Sequence, residues 1–261
     1  MKQRLDRILL SKGLVQSREL AKALILEGKV FVDGQTVTKA GTLVSETSLV
    51  VLKGNSIPFV SRGGLKLDAA LDFFDIHVHG RVIMDVGSST GGFTDCLLKR
   101  EAKKVYSIDV GYGQLDWSIR NDERVIVLER TNIRYLDEIN FDELSKKKGY
   151  NCDELIHRTV DMATIDVSFI SLSKVLPSVY TYLKENGLIL ALIKPQFEVG
   201  KGEVEKGGII RSEKKRLRAV LNIQEFSEKN KFRVLGVILS PIPGQKGNRE
   251  YFIYLRKGAH G

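Results

Sequence analysis

A short apolar segment that runs into a glycine-bearing loop constrains the fold of this chain more than any other feature. Residues 82–86 (VIMDV) have the composition of a buried strand, and residues 87–92 (GSSTGG) follow directly. The pattern from Phe93 onward predicts a helix. Small residues at such a junction let a ligand approach the backbone closely, and the helix offers free N–H groups at its start. This order is typical of a doubly wound α/β fold, which binds nucleotide-like ligands at the carboxyl ends of its strands.

Three kinds of site can be compared for this loop. A dinucleotide site requires glycine where Ser89 stands. A nucleophile elbow matches formally, since residues 87–91 read G-x-S-x-G, but neither of the two histidines that follow stands in a suitable context. S-adenosylmethionine needs a tight loop for its amino-acid end and an acid for its ribose. Asp109 ends the next short strand, about 20 residues on, and can supply that acid, so we favour S-adenosylmethionine.

Composition and charge narrow the class of protein. The 261 residues, 43% of them hydrophobic, suffice for one large domain and one small one. A net charge of +9 is compatible with a polyanionic partner. The longest strongly apolar run, residues 187–193, is far too short to span a bilayer, and residues 1–7 lack the apolar core of a signal peptide. We therefore expect a cytoplasmic protein without membrane contact.

Cys96 and Cys152 stand in unrelated contexts, so we expect neither a disulfide framework nor a metal site.

The first 55 residues have a pattern of their own, with two predicted helices before a tight hairpin. Apolar residues recur at helical spacing in both helices, and Ser17 is suited to cap the second. Asp33 and Gly34 lie between short apolar runs, which predicts a hairpin turn. The apolar faces comprise Leu5, Ile8 and Leu9 in the first helix and Leu20, Ala21, Leu24 and Ile25 in the second.

Basic residues are concentrated in the same region. Residues 1–60 carry nine basic against five acidic side chains. The segments L-D-R-I-L, S-R-E-L-A-K and E-G-K-V-F-V-D-G resemble the S4-type RNA-binding domain, a small α+β fold, over residues 2–55. The resemblance implies that the helix pair follows the backbone of structured RNA. Its RNA contacts would include Arg4, Arg7, Arg18 and Lys22.

Beyond a linker at residues 56–61, predicted strands and helices alternate, as in a mostly parallel sheet with crossover helices. We expect the S4-like domain to occupy residues 1–55 and a larger domain to occupy residues 62–261. No helix separates the last two predicted strands, which favours an antiparallel edge. Strands are predicted near residues 82–86, 105–109, 125–128, 162–166, 187–193, 233–239 and 250–256, and helices near 63–74, 92–100, 113–121, 138–147, 172–184 and 213–228.

Four charged residues stand in settings unlike those of surface charges. Lys66 lies where a helix begins after the linker, and Glu250 opens the last strand. Asp166 and Lys194 each end an apolar strand, so in a parallel sheet both emerge at the edge where such folds bind their ligands.

These four residues match the Lys-Asp-Lys-Glu set of the FtsJ-like ribose 2′-O-methyltransferases. The segments S-R-G-G-L-K-L, D-V-G-S-S-T-G-G-F, I-D-V-S-F-I-S, L-I-K-P-Q-F-E and N-R-E-Y-F carry the resemblance. With its S4-like region, the chain resembles the TlyA/hemolysin A family over nearly its whole length. This implies a seven-stranded, Rossmann-like methyltransferase domain in which Lys66, Asp166, Lys194 and Glu250 are catalytic. The cofactor contacts implied are Asp85, Gly87, Ser88, Ser89, Thr90, Gly91, Gly92, Phe93, Asp109, Val110, Asn132 and Asp166.

The implied reaction is methyl transfer to a ribose 2′-hydroxyl of ribosomal RNA, with cytidine as the expected nucleoside. The hydroxyl must lose its proton as it attacks, and our hypothesis assigns Lys194 as the base. A lysine amine accepts a proton only when it is neutral, and a second cation such as Lys66 disfavours the charged form. Asp166 and Glu250 act in the opposite direction, but they can orient both amines by hydrogen bonds.

Residues 198–216 follow the Lys194 strand and combine four glycines with many charges. Long loops in compact domains are commonly functional or disordered. We expect this segment to be flexible and to become ordered on RNA, with Lys201, Lys206 and Arg211 near phosphates and Arg62 as a further RNA contact. A solvated insertion without RNA contact is the alternative.

Two other functions remain open at this point. A non-catalytic RNA-binding or ribosome-assembly factor would keep the fold without turnover, although the complete set of four charged residues argues against it. A membrane-active hemolysin is suggested by the family name, although no spanning segment supports it. The expected partners are ribosomal RNA or ribosomal subunits, and nothing in the sequence requires more than a monomer or a weak homo-oligomer.

Overall fold

The amino-terminal part of the chain consists of two helices and five short strands in a computed structural model, which describes residues 2–15, 17–52, 58–138, 159–200, 202–205, 207–244 and 247–258. Helix α1 (Leu5–Ser11) packs on helix α2 (Arg18–Leu26), and Ser17 Oγ caps α2 by accepting the Leu20 N–H at 3.1 Å. Strand β1 pairs with β4, and β2 lies between β3 and β5. The strands are β1 (Lys2–Arg4), β2 (Val30–Val32), β3 (Gln35–Thr36), β4 (Leu43–Ser45) and β5 (Val50–Leu52).

Apolar packing holds this part together, with Leu5, Ile8 and Ile25 buried in one cluster. Both predicted helices and the predicted hairpin are present. Leu20, however, is 45% exposed and lies outside the apolar face that the sequence predicts for it. Strands β1 and β4 were not predicted because three-residue strands are too short to show an alternating pattern.

Seven strands within the described residues form the central sheet of the larger part of the chain. Strands β6 to β10 run parallel, while β12 is antiparallel to both of its neighbours in the order β11-β12-β10-β9-β6-β7-β8. The last two strands therefore form the antiparallel pair that the sequence predicts at the edge. Of the two, β11 is the outermost strand, and β12 is the one that runs against the rest of the sheet. The strands are β6 (Val82–Val86), β7 (Lys104–Asp109), β8 (Val125–Glu129), β9 (Val160–Ile165), β10 (Leu183–Ile193), β11 (Phe232–Leu239) and β12 (Tyr251–Lys257).

Helices cover both faces of this sheet, which confirms the doubly wound α/β fold. None of the described helices is long and apolar enough to cross a membrane. The helices are α3 (Arg62–Phe73), α4 (Gly92–Lys99), α5 (Trp117–Arg120), α6 (Leu176–Tyr182), α7 (Pro195–Glu198) and α8 (Glu213–Lys229), with 3₁₀ segments at Ile133–Glu138 and Leu172–Lys174.

The run of apolar residues in β10 follows from burial on both faces. Ile189 and Ala191 belong to one buried cluster, and Leu190 and Leu192 belong to the other. Successive side chains of a strand point to opposite faces, so a strand between two helical layers needs apolar residues at every position.

Two predicted helices differ from the structure, and a third cannot be compared with it. The helix predicted at 113–121 is restricted to α5, where Asp116 accepts the Ser118 N–H at 2.8 Å and so starts the helix late. The segment predicted at 172–184 divides into a 3₁₀ turn, α6 and the start of β10, with Pro177 in the first turn of α6, where a missing N–H costs nothing. The helix predicted at 138–147 lies outside the described residues from 139 onward.

The strand order positions the candidate site. From β6 the chain proceeds outward through β7 and β8, and it then returns to the other side of β6 at β9. A crevice forms outside the carboxyl ends of parallel strands at such a reversal. Gly87, Asp109, Asp166 and Lys194 lie at the carboxyl ends of β6, β7, β9 and β10, so the topology brings them to one edge.

Candidate active site

A cavity of about 980 Å³ opens at this edge of the sheet. The cavity is lined by the loop that follows β6 and by Lys66, Asp166, Lys194 and Glu250. Ligand sites for small molecules commonly have volumes of about 300–1,000 Å³. The cavity is thus large enough for a nucleoside-sized ligand together with a second reacting group.

The four charged residues form two ion pairs. Lys194 Nζ lies 2.6 Å from Asp166 Oδ1 and donates a hydrogen bond to Ser168 Oγ at 2.8 Å. Lys66 Nζ donates to Glu250 Oε2 at 2.7 Å. Both lysine side chains are only 11% exposed. Buried charges are tolerated when they are paired, so each carboxylate allows an amine to remain at the cavity wall.

Different elements supply the members of each pair. Asp166 and Lys194 follow neighbouring parallel strands, so their proximity is a consequence of sheet topology. Lys66 lies in α3, whereas Glu250 precedes β12, and the two are 184 residues apart in the chain. Gly244 has no room for a Cβ beside the Glu250 carboxylate, so the backbone packs directly against that acid.

The loop after β6 is shaped by Gly87. Its φ of +86° lies in the left-handed region, and a Cβ there would stand 2.6 Å from the Asp166 carbonyl oxygen. The Gly87 and Ser88 N–H groups donate to the Ile108 carbonyl at 2.8 and 3.2 Å. The loop is therefore fixed to β7 and passes close to β9, where the backbone can form a ligand cradle.

Asp109 fastens the same loop from the end of β7. Its Oδ2 accepts the Ser89 N–H at 2.8 Å, and its Oδ1 accepts the Gly111 N–H at 2.6 Å. A carboxylate offers about four acceptor positions, so two backbone bonds leave capacity for the hydroxyls of a ribose.

Asp85 is assigned to the cofactor, but it does not line the cavity. It is fully buried, and it accepts the Thr94 hydroxyl at 2.6 Å and the Thr164 hydroxyl at 3.0 Å. Burial raises the pKa of Asp85 to about 7, against the lowering effect of these hydrogen bonds. The carboxyl group thus connects β6 to α4 and β9 beneath the loop.

Asp85→Asn should remove a pH dependence of stability. Because the native pKa is raised, the folded state retains a proton between about pH 4 and 7 that the unfolded state has released, and the free energy of unfolding falls by up to about 1.4 kcal/mol per pH unit as pH rises through this window. Urea unfolding at pH 5, 6 and 7 would measure this slope in the wild type and its loss in the variant.

Asp161→Asn is the matched control, since the Lys184 ion pair and the Val82 N–H lower the pKa of Asp161. That substitution should lower stability by a constant amount between pH 5 and 7, change the pH dependence only at more acidic pH, and leave the slope between pH 5 and 7 in place. An unchanged slope in Asp85→Asn would show that Asp85 ionises without cost in the folded protein.

Most other residues assigned to the cofactor line the cavity, whereas Gly91 faces Leu115 outside it. Asn132 reaches it too, with its Oδ1 accepting the Arg134 N–H at 3.1 Å. The assigned residues found on the wall are Gly87, Ser88, Ser89, Thr90, Gly92, Phe93, Asp109, Val110, Asn132 and Asp166.

Sequence reasoning missed an aromatic pair at the cavity. Phe169 is 90% exposed, has a φ of +63°, and lies 5.0 Å from Phe197 between ring centroids. Trp117 of α5 is also largely exposed. The positions of Phe169 and Phe197, three residues after Asp166 and Lys194 respectively, were the available signal.

The amino-terminal basic residues assigned to RNA fall into two groups, those that pair with a carboxylate and those that are simply exposed. Arg4 and Arg18 both contact the buried Asp6 carboxylate, at 3.0 and 2.9 Å, and these guanidinium groups hold the pKa of Asp6 well below its usual range. Arg7 and Lys22 are exposed. The two paired arginines therefore also have a structural role, which their sequence spacing did not reveal.

Arg62 and the segment after α7 are more constrained than the sequence suggests. Arg62 Nη2 donates to the Pro243 carbonyl at 3.2 Å and lines the cavity. Arg211 pairs with Glu205 at 3.0 Å, and Asn248 bonds to the backbone of residues 208 and 210. The described residues of the predicted flexible segment are thus held in place, while Lys201 and Lys206 lie outside the described residues.

Comparisons with known proteins agree with this geometry. The model of the FtsJ-like methyltransferase family matches residues 59–257, and the S4 domain model matches residues 3–50. The 16S/23S rRNA (cytidine-2′-O)-methyltransferase TlyA of Mycobacterium tuberculosis is 45% identical over 254 residues, which cover 97% of this chain and 89% of that protein.

Two relatives carry a different name. Hemolysin A of Brachyspira hyodysenteriae is 41% identical over 96% of this chain and 98% of its own length. A solved structure from Streptococcus thermophilus that carries the name hemolysin is 36% identical and superposes with a TM-score of 0.71, covering 98% of this chain and 89% of its own.

Proposed function

Because this chain belongs to the FtsJ-like methyltransferase family, and to its TlyA/hemolysin A group, we propose that it methylates a ribose 2′-hydroxyl of cytidine in ribosomal RNA, using S-adenosylmethionine. The observation that carries the proposal is that two lysine–carboxylate contacts and the glycine loop line one cavity. Such a substrate would place the reaction in the cytoplasm.

The residues present fit S-adenosylmethionine. Gly87 leaves the backbone bare beside the Asp166 carbonyl, and α4 begins at Gly92 with N–H groups suited to a carboxylate. Asp109 would accept the ribose hydroxyls, and Val110 and Asn132 would border the adenine end. Asp85 would act from beneath by holding the loop. When bound, the cofactor supplies a methyl group carried on a sulfonium sulfur.

Lys194 is the residue proposed to remove the proton from the ribose hydroxyl. As a neutral amine it would accept that proton while the oxygen forms its bond to the methyl carbon, and it would later release the proton to water. Asp166 and Glu250 would orient the two amines, and Lys66 would favour negative charge developing on the oxygen. Alignment of the reacting groups is expected to contribute much of the rate.

RNA would approach from two sides. The exposed Arg7 and Lys22 belong to the amino-terminal helices, where phosphate neutralisation would provide affinity without reading sequence. At the cavity, the exposed ring of Phe169 is suited to stack on an unpaired base, as aromatic side chains do in single-stranded RNA recognition.

The double substitution Arg7→Ala/Lys22→Ala is expected to weaken binding of unmodified ribosomal RNA about tenfold at physiological salt and to reduce the salt slope of log K by about two. Filter binding across a range of salt concentrations would measure both quantities. For each phosphate contact that is lost, about one counterion fewer is released on binding. The salt slope therefore reports on phosphate contacts more specifically than the affinity does.

Lys103→Ala/Lys229→Ala is the control, since it removes the same charge from residues outside the amino-terminal part. It should change affinity only slightly. Equal losses in the two double variants would mean that net charge, and not the helix pair, determines RNA binding.

Methyl transfer can be tested with labelled S-adenosylmethionine and unmodified ribosomal subunits, followed by alkaline hydrolysis of the RNA. A 2′-O-methyl group blocks cleavage at its own phosphodiester, so we expect the label in an alkali-resistant dinucleotide. Label in mononucleotides would indicate base methylation and contradict the proposal. RNA binding without any label would favour an assembly factor, and dye release from liposomes would favour the hemolysin alternative.

A further inference from the structure

Ser168 contacts the proposed base, although it is not one of the four charged residues that match the FtsJ-like set. Lys194 Nζ donates to Ser168 Oγ at 2.8 Å. Asp166 Oδ1 is close to the same amine, but it is buried and receives no well-directed hydrogen bond from the described part of the chain. The Asp166 carboxylate thus provides a negative charge beside the Lys194 amine, whereas the hydrogen bond to Ser168 orients that amine.

The chemistry of an amine makes direction matter. A neutral amine has two N–H groups and one lone pair, and only the lone pair can accept a proton. The side-chain carbon and the Ser168 bond fix two directions around Nζ, and the Asp166 carboxylate lies close on another side. Lys194 lines the cavity, so a remaining direction is available to a substrate there.

The backbone around Ser168 is held in an unusual conformation. Phe169 has a φ of +63°, which costs a non-glycine residue about 1–2 kcal/mol. Packing of Phe169 on Phe197 maintains it, and Glu198 fixes the next turn by accepting the Ser171 hydroxyl at 2.5 Å and the Leu172 N–H at 2.9 Å. Strain that the surroundings maintain at a reaction centre is an indication of function.

We propose that Ser168 is a positioning residue that orients the Lys194 amine so that its lone pair faces the ribose 2′-hydroxyl. This inference rests on the proposed function. Ser168 itself exchanges no proton with the substrate: the hydroxyl proton passes to Lys194 and then to water.

Ser168→Ala tests this role with two measurements. Competitive labelling of Lys194 by trace acetic anhydride, followed by mass spectrometry across pH, reads the amine in the free protein without methyl transfer. Labelling of Lys194 should rise, because the amine loses the hydrogen bond that holds it. In methyl transfer, kcat at its pH plateau should fall about tenfold with little change in KM for RNA.

Two matched variants make the result specific. Ser168→Thr retains a hydroxyl and should restore both profiles. Ser173→Ala removes a serine hydroxyl five residues on, which contacts Ser171 and not Lys194, and it should leave both profiles unchanged. Unchanged labelling and kcat in Ser168→Ala, with an active wild type, would overturn the inference. An inactive wild type would instead contradict the proposed function, and the labelling profile would still show whether Ser168 holds the amine.

Discussion

Replacing Lys194 with alanine is expected to lower the rate of methyl transfer by about 10³-fold while leaving affinity for S-adenosylhomocysteine within about twofold of wild type. The amine lies at the cavity wall, paired with Asp166 at 2.6 Å, whereas the glycine loop and Asp109 belong to other strands. The substitution should therefore slow methyl transfer without weakening cofactor binding. Single-turnover methylation of ribosomal subunits and calorimetric titration with S-adenosylhomocysteine would measure the two effects.

Lys194→Arg distinguishes a base from a fixed cation. A guanidinium retains the positive charge beside Asp166 but does not lose its proton in proteins. If Lys194 is the base, the arginine variant should be nearly as slow as the alanine variant. Recovery of more than about a tenth of wild-type activity would assign Lys194 an electrostatic role and leave another group to accept the proton.

Lys184→Ala provides a control within the same two strands. Lys184 lies near the start of β10 and pairs with Asp161 of β9 at 2.6 Å. The strand pair thus carries one lysine–aspartate contact at each end, but only the contact at the carboxyl end faces the cavity. Lys184→Ala should retain wild-type activity and lose at most a small amount of stability, because exposed ion pairs contribute about 0–1 kcal/mol.

The fold was predictable because its signals are periodic and local. Continuous apolar runs identified strands such as β10, which is buried on both faces, and the segment after β6 identified the crossover to α4. The secondary-structure prediction was wrong where the local sequence pattern and the packing with the rest of the chain favour different structures. The β10 strand begins at Leu183 within a segment whose composition suits a helix, and β1 is too short to show a period.

Sequence topology predicted that the assigned residues meet at one cavity, but it did not predict their contacts. Parallel topology alone brings Asp166 beside Lys194, whereas the contact between Lys66 and Glu250 depends on how α3 packs near β12. Burial was the least predictable property. Asp85 and Asp109 both stand near the end of an apolar strand, yet Asp85 is enclosed by threonines while Asp109 reaches the cavity. Asp85 pairs with Ser107, two residues before Asp109, and this strand register, which the sequence does not show, separates the two acids.

Gly87→Ala is expected to weaken S-adenosylhomocysteine binding about 100-fold. A φ of +86° and a Cβ 2.6 Å from the Asp166 carbonyl oxygen force the loop or the end of β9 to move. Left-handed strain of about 1–2 kcal/mol and a similar cost for the displaced backbone together correspond to about two powers of ten in affinity, provided that the loop relaxes when it is empty. Calorimetric titration would measure the affinity, and thermal unfolding would show whether the fold survives.

Gly80→Ala separates backbone strain from the close approach. Gly80 also has a positive φ, +70°, but a Cβ there would meet nothing within 4 Å, and it lies before β6 at the opposite edge of the sheet. Its alanine variant should lose about 1 kcal/mol of unfolding free energy and bind the cofactor product normally. If Gly87→Ala behaved in the same way, the contact with Asp166 would be dispensable and the cofactor would have to be held by another part of the cavity. A selective loss of binding at Gly87 would instead show that the bare backbone beside Asp166 is required for cofactor binding.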